Sequence, residues 1–111
     1  MRVEELDIKR LKALEKVSIH TANSVYEFSV TDPETRTGIL TGGVLGESTT
    51  IAVLVCSAHG ETYNEARILS VGARAVFLVP CDTGSRRLIT SQVRELLCTG
   101  ENQSETRPPI A

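Results

Sequence analysis

Between Val17 and Leu97 the chain is a succession of short β-branched and aliphatic runs, each closed by residues that favour turns. Tyr26-Glu27-Phe28-Ser29-Val30 alternates large and polar side chains, which puts one kind on each face of a pleated strand. Thr31-Asp32-Pro33-Glu34-Thr35-Arg36-Thr37 follows as a turn, with Pro fixing φ and Asp offering a local acceptor. Gly38 to Gly42 then runs back as a second strand.

The same period organises the rest of this stretch. Val17, Ile19 and Thr21 fall on one face, and the large residues then change phase to Tyr26, Phe28 and Val30. A strand cannot change phase without an interruption, so a bulge or a tight turn is expected at Asn23. Gly42-Gly43 and Gly46-Glu47-Ser48 read as loop, and Thr49 to Cys56 as a strand buried on both faces. A polar loop spans Ser57 to Ala66. Ile68 to Val71 and Ala73 to Val79 form a strand broken at Gly72, Pro80 to Ser85 a turn, and Arg86 to Thr90 a last strand. Ser91 to Leu97 is short enough to fit either a strand or a helix.

Five or six strands joined by hairpin-length loops predict a mainly β fold: a small closed or partly open antiparallel β-barrel. Closure is favoured, because an open sheet would leave Ile51 to Val55 as an apolar edge with no Pro or inward charge to protect it. Residues 1–16 carry Leu6, Leu11 and Leu14 among charged helix formers, without Gly or Pro, and predict a short N-terminal amphipathic helix. The barrel domain is expected over 17–97 and a disordered tail over 98–111, where there is little to bury. At 111 residues the chain suffices for one core without a disulfide or metal.

Composition excludes several classes. Hydrophobic residues at 41% and charged residues at 23% fit a globular chain rather than a disordered one. The longest apolar run, Ile51 to Cys56, is too short to span a bilayer, and the acidic start Glu4-Glu5-Leu6-Asp7 lacks a leader's apolar segment, so no membrane partner and a cytoplasmic location are expected. Three cysteines without an export signal fit reduced thiols. A net charge of -2 argues against nucleic acid, although Arg67, Arg74, Arg86, Arg87 and Arg94 would make a patch if their strands were neighbours.

Val17-x-Ile19-x-Thr21-x-Asn23-Ser24-x-Tyr26, then Gly42-Gly43, Val71-Gly72 and Thr90-Ser91-x-Val93 together resemble a pattern found in small uncharacterised bacterial β-barrel-like proteins. The resemblance covers roughly residues 16–96; it implies a compact β domain and no activity. Read residue by residue, the same elements are turn chemistry: Asn and Ser bond neighbouring backbone, Gly-Gly permits positive φ, and Thr-Ser satisfies amides at a strand end.

No set of catalytic groups stands out, and none is assigned. Cys56-Ser57-Ala58-His59 has C-x-x-H spacing, and with Cys81, Cys98 and His20 the residue types for a Cys3His zinc site are present. The two distant cysteines lack the paired spacing of structural zinc sites, so neither a metal nor another cofactor is expected. A thiol nucleophile, or a Ser91–His20 pair, has no local signature. Gly42-Gly43-Val44-Leu45-Gly46-Glu47 lacks the Lys-Ser/Thr of a phosphate loop and a following helix. Tyr26, Phe28 and Phe77 are expected in the core, leaving Tyr63 as the loop aromatic for base stacking.

The sequence therefore predicts a non-enzymatic small β-barrel that acts through protein contacts and associates with its own kind. Zinc or small-molecule binding through the Cys and His groups is the first alternative, and nucleic-acid binding the second. Any site is expected at Thr21, Asn23, Ser24, Gly42, Gly43, Thr90 and Ser91.

Overall fold

A computed structural model of the chain describes residues 2–59, 62–63 and 68–99; for His59, Thr62 and Tyr63 only the backbone is described. The strands are β1 (Arg2–Val3), β2 (Glu5–Asp7), β3 (Lys16–Thr21), β4 (Val25–Asp32), β5 (Thr37–Gly42), β6 (Thr49–His59), β7 (Thr62–Tyr63), β8 (Ile68–Ser70), β9 (Arg74–Cys81) and β10 (Gly84–Thr99). Six of them close a barrel through antiparallel pairs in the order β3, β4, β5, β6, β9, β10 and back to β3.

Closure depends on the 16 residues of β10. Its first part pairs with β9 up to Gln92, and its second pairs with β3 from Val93 onward. Register shifts between Ile89 and Gln92 and between Val93 and Glu95 bend the strand where it passes from one neighbour to the other. Residues 91–97 are thus strand, and β10 continues through Cys98 and Thr99, so the barrel extends past the boundary expected at 97. The remaining tail, 100–111, lies outside the described residues.

The period-two reading of β4 fixes the core. Tyr26, Phe28 and Val30 are buried and meet Val17 and Ile19 of β3, Leu40 of β5, Leu54 of β6 and Phe77 of β9 in one cluster. Phe28 and Phe77 form a tilted ring pair with centroids 5.5 Å apart at its centre. A smaller buried cluster, Cys56, Ala58 and Val76 with Val55 against it, is separate from this core.

The N-terminal helix is not formed. Residues 2–7 instead make β1 on β10 and β2 on β8, with Leu6 opposite Leu69, and Ile8–Arg10 is a single 3₁₀ turn. Leu14, counted on the helical stripe, is 65% exposed and has φ +71°, which no right-handed helix accommodates. The decisive residue is Ile8, which the stripe omitted: it is fully buried and joins Leu11 and Leu69 in the barrel core. Burying such a side chain yields about 2 kcal/mol, whereas an isolated helix of this length is marginal in water.

Strand β6 is not an edge. It bonds β5 through Thr49–Val53 and β9 through Val53–Ala58, so the apolar run Ile51 to Val55 passes from one neighbour to the other within the closed barrel. Among the described residues no helix is long and apolar enough to cross a membrane.

Candidate functional site

The interruption at Asn23 is the tight β3–β4 turn, and Thr21 builds it. Its backbone N–H donates to the Ser24 carbonyl at 2.8 Å. Its Oγ1 also donates to that carbonyl at 3.1 Å, and accepts from the N–H groups of Ser24 at 3.0 Å and Asn23 at 3.3 Å. One hydroxyl thus serves both donor and acceptor demands of the turn, as Ser and Thr do where backbone partners run out.

The turn is tied to the bend in β10. Asn23 Nδ2 donates to Ser91 Oγ at 2.8 Å, and the Ala22 N–H donates to the Gln92 carbonyl at 3.1 Å. Inside that bend Thr90 is buried, and its Oγ1 accepts the Ala75 N–H at 3.0 Å while donating to the Ser91 carbonyl at 2.7 Å. The side chain replaces a backbone acceptor at the register shift. Gln92 extends the network outward, its Nε2 donating to the Gly72 carbonyl at 2.7 Å, while Gly72 N–H bonds the Val93 carbonyl at 2.8 Å.

Gly42 and Gly43 join from the other side. Both have positive φ, +92° and +53°. A Cβ on Gly42 would overlap the Val25 carbonyl, and one on Gly43 would overlap the Tyr26 ring. The Tyr26 hydroxyl, in turn, accepts the Val44 N–H at 3.2 Å. The four short patterns therefore meet in pairs: Asn23 with Ser91, Tyr26 with Gly43, Gly72 with Val93. Thr21, Asn23, Ser24, Gly42, Gly43, Thr90 and Ser91 all belong to this connected arrangement, and Gln92 is the member that sequence reading missed.

The reactive candidates do not converge. Cys56 is buried opposite Val76, Cys81 is exposed at the end of β9, and Cys98 is half-buried opposite Val17. Cys81 stands five residues along β9 from Val76, about 16 Å at the strand rise, whereas a shared zinc requires sulfurs about 2.3 Å from the ion. Among the described residues no three His, Cys, Asp or Glu side chains gather as metal ligands, and the His59 side chain lies outside that set. His20 faces Glu95, with Nδ1 4.0 Å from Oε1, while Arg2 Nε approaches the other carboxylate oxygen at 3.3 Å.

The arginines are likewise divided. Arg74 and Arg94 flank the bend of β10, while Arg86 and Arg87 sit towards the β9–β10 turn, on the order of 20 Å away along the strand. Arg67 and the Tyr63 side chain lie outside the described residues.

Comparison with known proteins gives no match: no family model, no curated protein and no solved structure corresponds to this chain.

Proposed function

We propose that the chain is a non-enzymatic β-barrel module that acts through protein contacts and associates with a second copy of itself. The observation that carries this reading is the outer wall of β5 and β6. Ile39 and Ile51 are cross-strand partners there and are 36% and 57% exposed. Val53 and its β9 partner Leu78 lie half-buried nearby. A contiguous apolar stretch on a rigid wall gains free energy when a partner excludes water from it, and a second copy presents the same stretch.

The polar cluster supports the non-enzymatic half of the reading. Thr21, Asn23, Thr90, Ser91 and Gln92 are engaged in bonds that fix a turn and a bend. None is paired with a base in the manner of an activated nucleophile.

Sedimentation of the purified chain from low to high micromolar concentration tests the proposal. Concentration-dependent dimer formation is expected, and Ile51→Asp is expected to abolish it without changing the far-ultraviolet circular dichroism. A monomer throughout that range overturns the reading.

A further inference from the structure

We infer that the hollow between the N-terminal segment and the Cys98 end of β10 is a binding site for a small amphiphilic cation, an ammonium group on a short aliphatic chain. The hollow measures about 350 Å³, within the range of roughly 300–1,000 Å³ typical of small-ligand sites, which recur at the mouths of β-barrels. Its walls are of two kinds. Leu6, Leu11 and Ile68 form an aliphatic side, and Leu11 belongs to the barrel core. Glu5, Asp7 and Glu15 supply carboxylates.

Two of these carboxylates are held in place by the chain around them. Asp7 Oδ1 accepts the Lys9 N–H at 3.0 Å, and Glu15 Oε1 accepts the Lys12 N–H at 2.6 Å. Glu15 Oε2 takes the Cys98 thiol at 3.8 Å. Burial, reinforced by that carboxylate, pushes the Cys98 thiol up, so it stays neutral and adds no charge to the hollow. Among the described residues Arg10 is the cation on the lining, and three carboxylates against one guanidinium leave two negative charges.

This distribution selects the ligand class. An anion is repelled, and a neutral aliphatic molecule leaves the carboxylates without a counter-charge. A bare metal ion is disfavoured because these carboxylates do not gather as a ligand set among the described residues. An alkylammonium needs only one carboxylate beside its charge and places its chain on the leucines and isoleucine. The site is independent of the Ile39–Ile51 wall, and either proposal stands if the other fails.

The test is a methyl-detected NMR titration of the full chain with n-butylammonium, n-butyrate and n-butanol at constant ionic strength. Saturable shifts at Leu6, Leu11 and Ile68 are expected with butylammonium alone. Glu15→Gln and Asp7→Asn each keep one acceptor oxygen, for the Lys12 and Lys9 N–H groups respectively, and are each expected to weaken binding by about threefold to tenfold, the scale of one partly screened charge interaction. No saturable shift, equal shifts with butanol, or the same shifts with magnesium chloride would each overturn the inference. Because these controls use the unmodified chain, the result does not depend on the variants folding.

Discussion

Asn23 and Ser91 are 68 residues apart in sequence, yet the Asn23 amide donates to the Ser91 hydroxyl at 2.8 Å and fastens the β3–β4 turn to the bend of the closing strand. The pair is solvent-accessible, so its worth is that of an ordinary side-chain hydrogen bond. Asn23→Ala and Ser91→Ala are each expected to lower unfolding free energy by about 0.5–1.5 kcal/mol. In a double-mutant cycle by urea denaturation the two losses should be less than additive. Full additivity would mean that the bond contributes nothing to stability.

Gly43 separates backbone strain from packing. Gly43→Ala and Gly46→Ala both place a Cβ at positive φ, but at Gly46 that Cβ meets open space and at Gly43 it meets the Tyr26 ring. Gly46→Ala is expected to cost about 1–3 kcal/mol through backbone strain alone, because φ +62° with ψ −127° is a conformation that side-chain-bearing residues seldom adopt. Gly43→Ala should cost about 1–3 kcal/mol more through overpacking. Equal costs in thermal unfolding would show that the ring moves aside freely.

What the sequence revealed and what it concealed divide along physical lines. Alternation in β4 was legible because one buried face imposes period two, and Asn23 was legible as an interruption because the phase changes there. The N-terminal segment was misread because helix propensity is local, whereas the burial of Ile8 and the pairing of Leu6 with Leu69 depend on residues some sixty positions away. For the same reason Glu5, Asp7 and Glu15 were not foreseen as neighbours in one hollow. Thr90 and Ser91 were picked out together, but nothing local separates Thr90, which serves the interior of the bend, from Ser91, which serves its surface.

That division gives Thr90 a distinct behaviour. Thr90→Val keeps its shape but removes the acceptor for the buried-side Ala75 N–H, so it is expected to cost about 1–3 kcal/mol. Thr90→Ser retains the hydroxyl and should recover most of that loss, giving up chiefly one methyl group. Chemical denaturation of the two variants measures the contrast. A Val variant as stable as the parent would mean that the bend finds another acceptor.

The cysteines divide by surroundings rather than by spacing. At the β9–β10 turn, the Thr83 hydroxyl and backbone amide, aided by Arg86, hold the Cys81 thiol below its ordinary value. Burial and the Glu15 carboxylate raise Cys98. Cys81 therefore carries more thiolate at mildly alkaline pH and should be alkylated by iodoacetamide well before Cys98, with Thr83→Val slowing it. For Cys98 the folded state favours the neutral thiol. Its contribution to stability is complete below the ordinary thiol range and declines as pH rises through the raised folded value, and Cys98→Ser should flatten that decline in an alkaline unfolding series. Mass-spectrometric labelling over time checks the order of reaction, and faster labelling of Cys98 than of Cys81 in the native protein would contradict it.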